Sequence, residues 1–462
     1  MEKPSHNQSS AAQRRWIYGA ILLLGIISGA IYLLNFKLNR LIPGLVQSTA
    51  IHVYLSLFGF LSVLYLISIF LVVRNKSAIG RSKSLLCIIF IFAVVFRLCL
   101  IPKDPVVLSK DVYRFVWDGR VQQHGINPYR YAPADDALKT LRDDQIYPNI
   151  NRKAYPTVYP AGAQIFFRIA YAIVGDNVHG FKGIMVFFDI LTLLALTALL
   201  GVYGFEAVRL IVYAWNPLVI WEIAYSGHLE GITVFLMVAA FLLYALHRKM
   251  PAVVVLTLCS AIKLYPALLL AAIVNRGTRV KSLVVFGVTF GLLYLPYMAV
   301  GRKLSGFLPI YLKSPYESFN MGLKSFIMGL FPGLNYYFVS QLFIVVLAAT
   351  GLLVFFKIKK NAQVLRCGLL LAGMLMILMP ASLHPWYVIL VIPFLAFYPS
   401  PAWLIFTGTV TLSYLKYVTA QGIMPTWVLL TEYLPLFILL AAGPVLKKAA
   451  VRGVSLRQAL RP

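Results

Sequence analysis

The chain has 462 residues, of which 60% are hydrophobic and 12% charged, and its mean hydropathy is +0.80. Soluble domains carry roughly 25% charged residues, so this composition excludes an ordinary soluble enzyme. The formal net charge is +27, but the basic residues lie mostly in short loops and no nucleic-acid-binding motif is present. We therefore expect this protein to interact with a lipid bilayer and not with nucleic acid.

Apolar runs close to the ~20 residues that cross a bilayer recur along the chain. The first begins at Trp16 and lacks a small-residue cleavage site, so we expect a retained helix rather than a signal peptide. We predict a single domain (1–462), an all-α polytopic membrane helix bundle with about 12 to 14 crossings. The candidate spans are 16–35, 51–73, 84–102, 182–200, 206–221, 229–247, 281–300, 337–358, 365–381, 385–398, 401–416 and 426–446.

Basic clusters at the ends of these runs orient the chain. They lie at Arg14–Arg15, 74–83, 247–249, 275–281, 357–360 and in the tail 447–462. Because basic loops face the cytoplasm, we predict a plasma (inner) membrane protein with both termini cytoplasmic. Three crossings then carry the chain outside, and residues 103–162 form a long first extracytoplasmic loop with juxtamembrane helices. The remaining helical bundle occupies 163–446.

The long loop contains seven of the chain's 15 carboxylates: Asp104, Asp111, Asp118, Asp135, Asp136, Asp143 and Asp144. The last four alternate with basic residues in "PADDALKTLRDD", a pattern typical of a solvated helix surface. Asp111 and Asp118 are seven residues apart, about two helical turns, so they can share one face of a helix. Aromatic neighbours predict that this helix lies against the membrane surface, where a carboxylate is costly unless it is paired or functional.

Two interpretations of Asp111 and Asp118 are open from the residues alone. Either carboxylate can form an ordinary salt bridge with Arg114 or Arg120, and the i, i+3 spacing favours Asp111–Arg114. Alternatively, both serve a site that the Pro- and Tyr-rich turns "GINPYRYAP" and "YPTVYPAG" hold rigid around a sugar.

Polar and aromatic segments from distant parts of the chain emerge at one predicted face. They are 103–162, 221–231, 314–325 and 383–387. The apolar segment 163–175 is too short to cross and is predicted to be an interfacial or re-entrant helix. Residues 251–274 are broken by "KLYP", which predicts a hairpin of two short spans or a re-entrant pair; "AIKLYP" reaches the outer face only if this hairpin penetrates far enough. The convergence predicts an active site at the outer membrane surface.

Five segments resemble a known family. They are "DVYRFVWDGRVQQHGINPYRYAP", "YPNINRKAYPTVYPAGAQIFF", "WNPLVIWEIAYSGHLEG", "KLYPALLL" and "HPWY". In order and spacing they resemble the GT-C superfamily of integral-membrane glycosyltransferases, and in particular bacterial polyprenol-phosphate-mannose-dependent mannosyltransferases. The resemblance implies an inverting transferase that moves a hexose, with mannose favoured, from a polyprenyl-phosphate donor to a glycan or lipid acceptor. The sequence contains no Asp-x-Asp motif, so no metal or other cofactor is indicated.

The resemblance also implies roles for individual residues. In the family's pattern an aspartate of the first outer loop is the base for the acceptor hydroxyl, which maps onto Asp111, with Asp118 as second choice. The donor phosphate needs cations, and the candidates for the donor site are Lys263, His228, Glu230, Arg97, Arg114 and His384. Candidate substrate contacts are Trp117, Asn127, Tyr129, Asn320, Trp386 and Tyr387.

Several of these candidates have an ordinary structural alternative. Lys263 lies in an apolar break, where an unpaired ammonium is costly; it binds the phosphate, snorkels to the interface or pairs with a neighbouring carboxylate. Glu230 is favourable at a helix N-terminus whatever its function. Trp386 and Tyr387 also fit an interfacial aromatic belt.

Three other functions are alternatives to the transferase. A lipid-linked sugar flippase or other transporter is disfavoured because no internal repeat typical of transporters is evident. A structural membrane partner would use the polar loops to bind another subunit. A polymerase or ligase acting on undecaprenyl-diphosphate glycans is an enzyme with a different donor.

Overall fold

The computed structural model describes residues 6–41, 47–75, 79–80, 82–105, 107–313, 319–357, 360–419 and 422–451. Every regular element in this part of the chain is helical, which confirms the predicted all-α class. The first residues of the 314–325 segment and the basic tail beyond residue 451 lie outside the described residues. The α-helices of six or more residues are α1 (His6–Leu41), α2 (Gln47–Arg74), α3 (Lys83–Leu98), α4 (Asp111–Gln123), α5 (Ala161–Val174), α6 (Val178–Val202), α7 (Glu230–Ala245), α8 (Lys249–Ile262), α9 (Arg279–Tyr294), α10 (Leu308–Lys313), α11 (Leu323–Leu330), α12 (Tyr336–Phe356), α13 (Asn361–Ile377), α14 (Pro401–Thr409) and α15 (Thr426–Val451).

The helices confirm a multi-pass membrane bundle. Six segments of the described chain are long and apolar enough to cross a membrane: Ala12–Leu34, Ser48–Arg74, Val178–Val202, Arg276–Ser305, Tyr336–Phe356 and Thr426–Gly443. A bent pair, Ala207–Ala214 and Pro217–Tyr225, makes a seventh if both arms belong to one span. Shorter apolar helices include α5, α7 and α8. The larger count of about 12 to 14 crossings, which treats shorter apolar runs as spans, stays a prediction.

Helix α4 carries Asp111 and Asp118, and it packs inside the protein instead of lying against the membrane surface as the sequence had suggested. Every residue from Val112 to Gln122 is buried. The Phe115 ring stacks on Phe167 of α5 with centroids 4.8 Å apart. The close contact needs Gly119, because a Cβ there would lie 2.7 Å from the carbonyl oxygen of Phe167. Asp111, at the N-terminus of α4, is only partly buried.

The predicted break at "KLYP" is present. Helix α8 ends at Ile262, Lys263 is extended (φ −138°, ψ 133°), and the chain resumes as short helical segments from Tyr265. Pro266 explains the interruption, because it lacks the N–H that a continuing helix needs but fits the first turn of a new one. Helix α5 lies directly against this break: a Cβ on Gly162 would be 2.7 Å from the carbonyl oxygen of Ala261.

The segment between α6 and α7 bends by 61°. The side chain of Asn216 caps the second arm by accepting hydrogen bonds from the N–H groups of Leu218 and Val219. The arm ends in a π-helical turn, Trp221–Tyr225, a form that frequently occurs at functional sites. Gly227, with φ +74°, then turns the chain towards α7.

Candidate active site

A cavity of about 640 Å³ lies where the loop residues 107–160, the helix break 262–265, α10 and the segment 375–387 meet. Three of the polar segments that were predicted to converge, the long loop, "AIKLYP" and "LHPWY", contribute lining residues. The segment 221–231 lies behind the cavity, where His228 contacts two lining residues, Asp111 and Trp386.

One side of the cavity, here called the charged wall, is formed by Lys110, Asp111, Arg114, Arg152 and Lys263. Four of these side chains are basic and one is a carboxylate. The Asp111 carboxylate is oriented by Asn151, whose Nδ2 donates a hydrogen bond of 2.6 Å to Oδ1. Its position in the first turn of α4 is favourable for a negative charge, because the helix dipole is positive there.

A second group of lining residues, here called the apolar wall, consists of Phe307, Leu308, Tyr311, Leu312, Leu375, Met379, His384, Trp386 and Tyr387. Its first part is docked onto the long loop through a backbone hydrogen bond of 2.9 Å from Phe307 N–H to the carbonyl of Thr157. This contact requires a glycine before Phe307. Gly306 has φ +53°, and a Cβ on it would lie 2.0 Å from the Thr157 oxygen.

Asp118 does not line the cavity. Arg114 Nε donates to its Oδ1 at 2.8 Å and Gln164 Nε2 donates to its Oδ2 at 2.9 Å, so both carboxylate oxygens are in use. The salt-bridge interpretation therefore describes Asp118, with the i, i+4 partner Arg114 in place of the expected Asp111–Arg114 pair. Asp118 holds the guanidinium that lines the cavity, and Asp111 faces the cavity itself.

Lys263 lines the cavity and also has a protein partner. Its Nζ donates a hydrogen bond to Oε1 of buried Glu230, at the first residue of α7, and the hydroxyl of Tyr265 donates to the same oxygen at 3.0 Å. The ammonium lies 5.0 Å from the ring centroid of Tyr387. The predicted alternative of pairing with a neighbouring carboxylate is thus present, and the pair places an ammonium group at the cavity surface without an unpaired buried charge.

Stacked rings join the apolar wall to the residues behind it. His228 stacks on Trp386 with centroids 3.9 Å apart, Trp386 stacks on His384 at 4.3 Å, and His384 stacks on Phe319 at 4.7 Å. The stack fixes the ring planes of both histidines. Tyr159 adds a phenol to the lining, and burial, together with the neighbouring charge of Asp111, raises the pKa of that phenol well above its ordinary value. It therefore remains a neutral hydroxyl.

Residues 17–278 match a protein family described as "Alpha-(1->6)-mannopyranosyltransferase, N-terminal domain". The chain belongs to this family. Membership confirms the resemblance to GT-C-like membrane mannosyltransferases and supports mannosyl transfer as the activity. No curated protein and no solved structure matches the chain. Across the residues that the structure describes, no group of three or more His, Cys, Asp and Glu side chains is placed to hold a metal ion.

Several residues that were predicted to bind substrate lie elsewhere in the mannosyltransferase. Arg97 is fully buried and donates from Nε to Asp189 at 2.6 Å, so it is a structural ion pair rather than a phosphate ligand of the cavity. Trp117 is buried beside Tyr147, with ring centroids 5.7 Å apart, and does not line the cavity. The apolar residues around Trp117 in α4 had suggested a helix on the membrane surface, but they pack against other parts of the protein.

The turn residues Asn127 and Tyr129 also lie outside the cavity. Asn127 Nδ2 donates to the carbonyl of Tyr297 at 3.1 Å, and the Tyr129 hydroxyl donates to the carbonyl of Tyr159 at 2.8 Å. The side-chain Nδ2 of Asn320 donates to Glu432 at 2.7 Å, and the backbone carbonyl of Asn320 accepts a hydrogen bond from Leu383 N–H. These side chains hold the surrounding backbone in place, and they do not contact the cavity.

Sequence reasoning missed several polar residues of the cavity lining, among them Lys110, Asn151, Arg152 and Tyr159. Asn151 is 40 positions from the aspartate that it orients, so no local pattern indicates the pair. Arg152 has φ 51°, which is uncommon for a residue with a side chain, and backbone strain of this kind clusters at functional sites. Its guanidinium lies over the rings of Phe307 and Tyr311, 5.6 and 5.5 Å from their centroids.

The acidic stretch of the loop is more than the solvated surface that the sequence pattern predicted. Asp143 pairs with buried Arg120, which also pairs with Asp176 at 2.7 Å. Partial burial acts to raise the pKa of Asp143, but hydrogen bonds from Arg120 and from the backbone N–H groups of Tyr147 and Ile146 outweigh it and lower that pKa. The cluster anchors the loop beside α4 and α5.

Proposed function

We propose that this cavity transfers mannose from a polyprenyl-phosphate donor to a glycan or lipid acceptor, at the extracytoplasmic face and with inversion at the anomeric carbon. The observation that carries the proposal is the charged wall, where one carboxylate, Asp111, lies among four basic side chains. A single base and several cations are what a direct displacement on a sugar phosphate requires.

The cations suit a phosphate leaving group. When the bond between the sugar and the phosphate breaks, negative charge grows on the phosphate oxygens and is stabilised by nearby positive groups. Arg152 is an exposed arginine of the cavity lining, and guanidinium groups match phosphate geometry. Arg114 and Lys263 add positive charge, and each is held in place by its own carboxylate, Asp118 or Glu230.

Asp111 suits the role of base towards the acceptor. It is half-buried, lines the cavity, and has one oxygen fixed by Asn151. The second oxygen, Oδ2, is directed towards His228, whose Nδ1 is 3.9 Å away. A carboxylate in this position takes the proton of the acceptor hydroxyl as that oxygen attacks the anomeric carbon.

The apolar wall supports a lipid-linked donor over a nucleotide sugar. Leu308 and Leu312 line the cavity from α10, while Ile310 of the same helix is 52% exposed. Leu375 lines it from α13, whose Leu370 is 49% exposed. Exposed leucine and isoleucine on membrane helices face lipid. An isoprenoid chain bound along this wall therefore extends from the cavity into the bilayer.

The donor is tested by incubating the purified protein with a panel of mannosyl donors, each with and without a chelator. The panel contains polyprenyl-phosphate mannose, polyprenyl-phosphate glucose, a polyprenyl-diphosphate glycan and a nucleotide-linked mannose. We expect only the polyprenyl-phosphate mannose to be consumed in the presence of an acceptor glycan. Consumption of the nucleotide sugar or of the diphosphate-linked glycan in its place would refute the proposed donor.

The side of the membrane requires a separate measurement. A cysteine introduced at exposed Lys139 of the long loop, in a chain whose four native cysteines are replaced, reports the side on which this loop lies. We expect a membrane-impermeant thiol reagent to label it in intact cells. Labelling only in inverted vesicles would place the cavity at the cytoplasmic face.

A further inference from the structure

Two polar atoms immediately behind Asp111 have no hydrogen-bond partner within the described part of the chain: Nε2 of His228 and Oε2 of Glu222. Their side chains are 1% and 0% exposed. Buried polar groups without partners are costly, and in native structures they call for an explanation such as strain or a catalytic role. These two atoms face each other at 3.4 Å.

The two side chains extend a line of titratable groups that starts in the cavity. Asp111 Oδ2 lies 3.9 Å from His228 Nδ1, and His228 Nε2 lies 3.4 Å from Glu222 Oε2. The other oxygen of Glu222 accepts a hydrogen bond of 2.6 Å from the Tyr414 hydroxyl. The imidazole is thus placed between two carboxylates, with one ring nitrogen directed at each.

The backbone is shaped to hold this arrangement. Glu222 belongs to the π-helical turn Trp221–Tyr225, and the N–H of His228 donates to the Glu222 carbonyl at 3.0 Å. Gly227 makes the turn between them with φ +74°. The stack on Trp386 then fixes the imidazole plane. A histidine that only filled space would need neither the turn nor two acidic neighbours.

We propose that His228 and Glu222 form a proton relay that restores Asp111 to its basic form after each transfer, an inference that rests on the proposed base role of Asp111. In the transfer, the acceptor O–H bond breaks and its proton passes to Asp111 Oδ2. The acceptor oxygen bonds to the anomeric carbon, and the bond from that carbon to the phosphate oxygen breaks with its electron pair on the phosphate. The proton then moves from Asp111 to His228 Nδ1, and the Glu222 carboxylate stabilises the imidazolium while the products leave. Once water has refilled the cavity, the imidazolium releases the proton to that water through Asp111, so that Asp111 is again a carboxylate and His228 a neutral imidazole.

His228 and Glu222 are positioning residues in this scheme, because neither contacts the reacting atoms. The other titratable groups facing the imidazole are few. His384 lies beyond Trp386 in the ring stack, and Lys182 of α6 passes close to Gly227. Lys182 donates to the carbonyls of Leu100 and Lys103, so its ammonium has hydrogen-bond partners other than His228.

A double-mutant cycle separates a relay from packing. His228→Gln and Glu222→Gln are made singly and in an Asp111→Asn background; glutamine at 222 keeps an oxygen for Tyr414 and is close to isosteric. We expect each single variant to lower kcat by about 10- to 100-fold with the donor KM unchanged. In the Asp111→Asn background the same changes should lower residual turnover by less than about twofold, because groups that act as a unit are not additive.

His179→Gln is the matched control. His179 pairs with Asp104 at 3.3 Å on the same side of the molecule, is 43% exposed, and does not line the cavity. It should leave kcat and KM unchanged. Equal fold-losses of His228→Gln and Glu222→Gln with and without Asp111, or a rise in KM with kcat intact, would overturn the relay and assign both residues to packing.

The cycle is measured with whichever mannosyl donor of the panel the wild-type protein consumes. The mutant cycle can therefore be interpreted even if the proposed donor is wrong. Additive losses would reject the relay without rejecting the proposed function. If His228→Gln does not fold, Glu222→Gln decides the outcome by itself. A wild-type kcat for folded Glu222→Gln would reject the relay.

Discussion

The two walls of the cavity differ in chemistry and in their place along the chain. Every charged lining residue, from Lys110 to Lys263, lies within residues 17–278, the part that matches the mannosyltransferase family. The lining residues after position 278 carry no charged side chain and, apart from His384, are apolar or aromatic, with three tyrosines among them (Tyr311, Tyr387 and Tyr417). Under the proposed function, the charged wall acts on the phosphate and the acceptor hydroxyl, and the apolar wall holds the isoprenoid chain of the donor.

The difference teaches which changes should affect turnover and which should affect binding. A charged group that acts on the transition state changes kcat, whereas an apolar surface that holds donor and product equally well changes KM. Three predictions test this division, in order of decreasing effect on the reaction, and a fourth tests the ion pairs that anchor the long loop.

Asp111→Asn should have the largest effect, lowering kcat by about 10²- to 10⁴-fold, because the amide cannot accept the acceptor's proton. The substitution keeps the size of the side chain and an oxygen for Asn151, so folding and membrane insertion should be unchanged. Mannosyl transfer is measured with the preferred donor. Asp136→Asn, an exposed carboxylate of the same loop, is the matched control, and wild-type turnover in Asp111→Asn would place the base elsewhere.

Arg152→Gln should lower kcat/KM by about tenfold, or about 1.4 kcal/mol, because one charge-assisted contact to the phosphate is lost. The measurement is steady-state kinetics with the intact donor. Arg130→Gln, an exposed arginine of the same loop outside the cavity, should change nothing. A loss of the same size in both variants would point to general electrostatics of the loop and not to phosphate binding.

Leu308→Ala, on the apolar wall, should raise the KM for a long-chain donor by about fivefold and leave kcat intact, since a truncated leucine loses about 1 kcal/mol of contact. A donor analogue with a chain of one or two isoprene units should show no change. Ile310→Ala serves as the control on the opposite face of α10, where the side chain is 52% exposed. A fall in kcat with both the long-chain and the short-chain donor would contradict the assignment of binding to the apolar wall and of chemistry to the charged wall.

Arg120→Gln should affect stability and hardly affect turnover. It removes the partner that lowers the pKa of Asp143. A carboxylate with a lowered folded-state pKa stabilises the fold above its unfolded pKa of about 4, and this contribution is lost as the pH falls through the folded-state value. Thermal unfolding should thus show a gap between wild type and variant at pH 7 that shrinks at about pH 3. Lys139→Gln, on the exposed part of the loop, should show no gap.

The fold class followed from the sequence because apolar runs and their basic ends report directly on crossing a bilayer. The break at Lys263 was also predictable, since a proline and a basic residue interrupt an apolar helix there. The burial of α4 was not predictable. Its aromatic residues fit a membrane-surface helix and a packed helix equally well, and Gly119 decides between them only once α5 lies against it.

The sequence identified site residues whose chemical type suggests a function. It did not identify the partners of those residues, because the partners lie far away along the chain. Asp111, which the sequence predicts to be the base, does line the cavity, and its role stays a prediction. Arg114 pairs with Asp118 at i+4 and not with Asp111 at i−3, a difference of one helical position that the sequence pattern does not decide. The Lys263–Glu230 pair joins residues 33 positions apart, and Asn151 reaches Asp111 across 40. Such partners come from tertiary packing alone.

Gly306 has a consequence for how this protein could be diversified. A Cβ on Gly306 would lie 2.0 Å from the Thr157 oxygen, so we expect no other residue to be accepted at this position. Leu308 and Leu312 of α10 are under no such constraint. Under the proposed function, variation in the preferred chain length of the donor is therefore expected in the residues after Gly306, while the contact between Gly306 and the long loop is kept. Replacing residues 307–313 by those of a relative should transfer that relative's chain-length preference to this protein.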